Sequence, residues 1–143
     1  MDIQYFYENN QHSYKHEFVI TSITNLLTNI ISLPDSLEIC LYKLDTGVYG
    51  GIDRYHINRI GLDYDLPFNM LPVILTHELI HVHQKHTGIL RIAHNGTCYW
   101  HGIPYNNKPL EQLSAEEYAK LPWELDAISK QEKFLMQALK QAK

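Results

Sequence analysis

The run Leu71-Pro72-Val73-Ile74-Leu75-Thr76-His77-Glu78-Leu79-Ile80-His81-Val82 is almost entirely apolar, yet it carries two histidines and a glutamate. Its length and composition predict a buried helix. Gly88, after Lys85-His86-Thr87, supplies the stop. Pro72 is compatible with a helix that begins near Asn69, because first-turn amides have no intrahelical acceptor to lose. Polar groups without partners are costly on such a helix, so the chemistry of His77, Glu78 and His81 constrains the whole chain.

His77 and His81 are four residues apart, which stacks both imidazoles on one helix face within reach of a single metal ion. Glu78 lies about 100° around the helix from His77. That offset suits a base acting on water at the metal better than a third ligand. H-E-x-x-H on a helix therefore predicts a hydrolytic zinc site: two neutral nitrogens, a carboxylate base and a metal-activated water.

A catalytic zinc takes three protein ligands and keeps one position open. His83 lies about 200° and His86 about 140° around the helix from His81, so both point away from the metal face. The longer H-E-x-x-H-x-x-G-x-x-H pattern is absent, since Gln84 holds its glycine place and Thr87 its third histidine place. Glu124, in Pro122-Trp123-Glu124-Leu125-Asp126-Ala127, is the preferred third ligand. It opens an otherwise apolar helix, and Ala127 beside it on the same face allows two helices to approach closely. Asp126 lies about 200° from Glu124, so the two cannot share the ion. His94 and His101 are the alternative third ligands.

The remaining composition narrows the class. The 143 residues suit one domain spanning 1–143, with 45% hydrophobic and 20% charged residues. A net charge of −4 gives no basic footprint, so nucleic acid is not an expected partner. Cys40 and Cys98 form no metal-spaced pair and no disulfide framework. The N-terminus lacks a signal-peptide pattern, and no apolar stretch reaches about 18 residues. The expectation is a cytoplasmic protein with no membrane partner.

Taken in order, residues 1–12 read as an arm or a short strand. Val19, Ile23, Leu26, Leu27 and Ile30 give a backing helix from Ser13, its cap, to Ile31. Leu37 to Leu44 reads as a strand with Leu37, Ile39 and Leu41 on one face, followed by a turn at Asp45-Thr46-Gly47. Val48–Ile52 and Tyr55–Leu62 are two further extended pieces, and together the three predict a small, mostly antiparallel sheet. Residues 97–105 read as a hairpin, and Ser114-Ala115-Glu116-Glu117 as a capping box. Pro122 starts the last helix, with Leu125, Ile128, Leu135 and Leu139 as its expected buried stripe. The fold class is α+β.

His77-Glu78-Leu79-Ile80-His81 followed by Glu124-Leu125-Asp126-Ala127 resembles the zincin metallopeptidases of the gluzincin type. The resemblance implies a zincin-like fold of backing helix, small sheet, active-site helix and glutamate helix. It implies a zinc-dependent peptidase with His77, His81 and Glu124 as ligands, Glu78 as general base, and a peptide or protein as substrate. Where some gluzincins carry an aspartate four residues after the ligand glutamate, this chain has Ile128, so hydrogen-bond support for the histidines has to come from elsewhere. Tyr105, Tyr99 and His101 are candidate donors to the oxyanion. An extended peptide is expected to pair with a strand at 48–52 or 55–62. The rival reading is a non-enzymatic assembly or interaction module with a structural zinc, its fourth position closed by His94 or His101.

Overall fold

The side chain of Ser13 accepts a hydrogen bond from the His16 amide and so starts the first helix, α1 (Tyr14–Leu27). The computed structural model describes residues 1–8, 12–44, 48, 50–52, 56–105 and 110–142. Helix α1 ends at Leu27 and not at Ile31, because the amides of Ile30 and Ile31 both turn onto the Leu27 carbonyl at 2.9 Å. Ile31 is nonetheless buried and joins the core.

Residues Asp2–Tyr7 form a strand, β1, and Ser36–Tyr42 form β2. Helix α1 carries the chain back across the sheet, so β1 and β2 run parallel, with Ile3 opposite Leu37 and Tyr5 opposite Ile39. The third strand, β3 (Gly50–Ile52), and the fourth, β4 (Arg59–Asp63), complete a sheet of order β1-β2-β4-β3. Strand β4 is parallel to β2, and only β3, at the edge, is antiparallel. The expectation of a mostly antiparallel sheet is therefore corrected. Strands β2 and β3 are neighbours in sequence, but β4 enters between them, a choice that short-range alternation cannot encode. The expected turn at Asp45-Thr46-Gly47 lies outside the described residues. Ile57 and Asn58 are in a turn, so β4 begins at Arg59, later than the expected Tyr55.

A 3₁₀ turn, Phe68–Met70, leads into α2 (Leu71–His86), which has Pro72 in its first turn. Gly88, with φ of +82°, follows the helix end. Three short antiparallel strands follow: β5 (Leu90–Ile92), β6 (Cys98–Trp100) and β7 (Ile103–Pro104). The expected hairpin is the β6–β7 pair. Ser114 and Glu117 form the capping box of α3 (Ala115–Ala119), and α4 (Pro122–Gln141) closes the chain.

One core joins the inward residues of the sheet, Leu37, Ile39, Leu41, Ile60 and Leu62, to buried residues of the three long helices. A second, smaller cluster, Leu90, Cys98, Leu121 and Trp123, anchors the short sheet to the start of α4. The expected stripe of α4 is corrected: Leu125, Ile128 and Leu139 are exposed, and only Leu135 of the four is buried. The buried face carries Trp123, Glu124, Ala127, Leu135 and Ala138. Two alanines without exposed surface lie on it, so close packing rather than side-chain size selects the face. Cys40 is half-buried and Cys98 is buried. Among the described residues no helix is long and apolar enough to cross a membrane.

Candidate metal centre

Helices α2 and α4 pack against each other, and Ala127 at their contact is fully buried. This brings His77, His81 and Glu124 together, with one potential ligand atom from each lying within 4.8 Å of the others. His77 Nε2 is 3.1 Å from His81 Nε2 and 3.2 Å from Glu124 Oε1. Bonds of about 2.0–2.1 Å in a tetrahedral zinc site place neighbouring ligand atoms about 3.3 Å apart, close to both separations from His77 Nε2. Glu124 Oε2 sits against His81 Nε2. The contact is not aligned as a hydrogen bond, and this buried oxygen has no hydrogen-bond partner among the described residues. A buried acceptor left over beside two imidazole nitrogens is the donor set a divalent cation satisfies.

The remaining ring nitrogens are also held. His77 Nδ1 lies 2.8 Å from Gln131 Oε1, and His81 Nδ1 lies 2.8 Å from Gln84 Oε1. Two glutamines thus meet the need for support created by Ile128, which is itself exposed. Metal-ligating histidines commonly donate their other N–H in this way.

The electrostatics show a site that attracts positive charge. Burial by itself pushes the His77 imidazole down, but hydrogen bonding to Glu124, the charge of Glu78 and the Gln131 contact outweigh it and raise its pKa to about 9. His81 is raised against burial by the same Glu124 carboxylate. Burial pushes Glu124 up, but the two imidazoles outweigh it and hold the carboxyl at about 2. Glu78 moves the other way: burial raises it, with His81 and His77 opposing. A raised carboxylate pKa brings a group closer to reversible proton exchange near neutral pH.

Two cavities flank the cluster. The larger, about 410 Å³, is walled by residues of β3, α2 and α4 and includes Gly50, His77, Glu78, Glu124 and Ile128. Glu78 reaches it because edge strand β3 presents a glycine there. The smaller, about 70 Å³, is bordered by His81, Glu124, Tyr118, Trp123, Leu90 and Leu110.

Tyr118 was not among the sequence candidates, and no spacing rule points to it. Burial and the charges of Glu124 and Glu78 raise its phenol, which keeps it a donor. The three residues expected as oxyanion donors lie on or beside β6 and β7. Tyr99 stacks under Arg91 at 4.0 Å, Tyr105 packs edge-on to Trp123 at 5.7 Å, and His101 is exposed with φ of 52°. His94 is exposed, and neither it nor His101 joins the ligand cluster among the described residues. His83 Nδ1 contacts the Ser32 backbone at 3.0 Å, and His86 is exposed. Set against protein-family models, curated proteins and solved structures, the chain matches none.

Proposed function

We propose that the protein is a zinc-dependent hydrolase, and more particularly a peptidase of the gluzincin type. The observation that carries the reading is the convergence of His77, His81 and Glu124, whose ligand atoms lie within 4.8 Å of one another, with Glu78 lining the cavity beside them.

Zinc bound by these three residues supplies Lewis acidity, lowering the pKa of a water and polarising the scissile carbonyl. Glu78 takes the proton of the attacking water and delivers it to the leaving amine, so it begins and ends the cycle as a carboxylate. The Tyr118 hydroxyl donates to the oxyanion that develops on the substrate. Strand β3 lies at the sheet edge next to Glu78, and an extended peptide adds there as a further strand, which aligns its carbonyl over the cluster. The larger cavity takes a neighbouring side chain against Val73, Ile74 and Ile128.

The test joins metal content to cleavage. Elemental analysis should give about one zinc per chain in wild type and far less in His81→Ala and Glu124→Ala. A diverse peptide library should show new termini with wild type. Glu78→Gln should keep fold and zinc but lose about 100- to 10,000-fold in rate, because the amide still hydrogen-bonds water and accepts no proton. Wild type free of zinc when purified without chelators, or equal cleavage by wild type and Glu78→Gln, overturns the reading.

A further inference from the structure

The metal-facing imidazoles differ in how firmly their protons are placed, and the difference traces to one glutamine. Gln84 is 1% exposed and His81 3% exposed, so neither exchanges partners freely with solvent. Gln84 Nε2 lies 3.0 Å from the Trp123 carbonyl and 2.9 Å from Asp126 Oδ2. Both partners only accept. A glutamine amide has two N–H donors on nitrogen and acceptor capacity only on oxygen, so both donors are used and the orientation of the amide is dictated. Reversing it would set Oε1 against a carbonyl and a carboxylate with no water to compensate.

Gln84 Oε1 therefore faces His81 Nδ1, 2.8 Å away, and Nδ1 must carry the proton. The neutral ring then presents a bare Nε2, the nitrogen that points at His77 and Glu124. Asp126 is held in turn, since Lys130 Nζ occupies its other oxygen at 2.6 Å. His77 lacks such a lock. Its partner Gln131 borders the open cleft, where water can complete either orientation of the amide.

We infer that Gln84 is a positioning residue for the metal centre: it selects the Nδ1–H tautomer of His81 and aims its Nε2 at the ion, with Asp126 and the Trp123 carbonyl holding the amide in register. The role rests on the zinc reading given above. It also explains why α4 supplies more than a ligand. Through Glu124, Trp123 and Asp126 the same turn of helix that binds the ion sets the proton on the opposite ligand.

The experiment is zinc titration against a competing chelator, paired with long-range ¹H–¹⁵N spectra of the zinc-loaded protein. Gln84→Met keeps the length of the side chain and removes its hydrogen bonds. It should weaken zinc about 10- to 100-fold and speed exchange of the His81 Nδ1 proton with solvent. Asp126→Leu should weaken zinc by less, because the Trp123 carbonyl still holds Gln84. Asp126→Asn should stay close to wild type, since its amide oxygen accepts the same bond. Thermal melting of the metal-free proteins checks that each variant folds, and Asp126→Leu against Asp126→Asn decides if Gln84→Met does not. Wild-type affinity and unchanged Nδ1 proton exchange in Gln84→Met, or in Asp126→Leu where it alone decides, overturn the positioning role and leave the zinc reading intact. A wild type that takes up no zinc overturns both.

Discussion

Gly50 on edge strand β3 lies against Glu78 on α2: a methyl group at Gly50 would meet Glu78 Cγ at 3.1 Å and Glu78 Oε1 at 3.3 Å. A side chain at position 50 would press on the proposed base, and Ile74 Cγ2 would also lie 3.2 Å from the added methyl group. Gly50→Ala should shift the carboxylate by a few tenths of an ångström. Since a misplacement of about 1 Å can cost about 100-fold, the expected loss in kcat is up to about tenfold, with zinc content unchanged. Steady-state kinetics beside metal analysis measures both, and a loss of zinc would locate the damage at the ligands instead.

Tyr118 supplies a second kinetic test. If its hydroxyl donates to the developing oxyanion, Tyr118→Phe should lower kcat by about 100-fold while leaving zinc affinity and the fold in place. Unchanged kcat with a raised KM would make Tyr118 part of the binding surface and no more.

The acid–base behaviour of His77 gives a prediction for the metal-free protein. Its folded pKa, about 9, lies above the ordinary imidazole value of 6.5. The folded state therefore binds the proton more tightly than the unfolded chain. The stabilisation from this group is fully present below about pH 6.5 and is lost as pH rises through about 9. Denaturant titrations of the chelated protein should show stability falling across that window. Zinc binding has to displace the same proton, so its apparent affinity should rise with pH over the same range. A chelated protein whose stability does not change between pH 6.5 and 9 would remove the His77–Glu124 pairing as the cause.

The two faces of α4 should respond oppositely to substitution. Ala127→Leu inserts bulk where α4 meets α2 and should cost about 1–3 kcal/mol, with zinc affinity lost as the ligands separate. Leu125→Ser, on the exposed face, should change stability by no more than about 0.5 kcal/mol. Urea unfolding of the two variants separates the cases. A larger effect at Leu125 would mean that this face is covered in solution.

Local sequence by itself determined the elements that short-range physics controls. The apolar run with its glycine stop specified α2, and the i, i+4 spacing placed His77 and His81 on one face. Ser13 and Ser114 marked helix starts because a cap is satisfied within three residues. The approach of Glu124 to the two histidines was expected from a carboxylate beside a small residue at a helix start. The features left to the tertiary structure all depend on packing between distant segments. Strand β4 enters the sheet between β2 and β3 because the order of strands is settled across the whole sheet, where alternation within one strand carries no information on its neighbour. Helix α4 buries Ala127 and Ala138 and exposes Leu125, Ile128 and Leu139, because the face that is covered is set by the distant elements packed on it and not by side-chain size. Gln84, Gln131 and Tyr118 gain their places beside the cluster through the same docking of α2, α3 and α4. A hydrogen bond across 42 residues, such as Gln84 to Asp126, leaves no periodic trace in the chain, so only the folded arrangement reveals it.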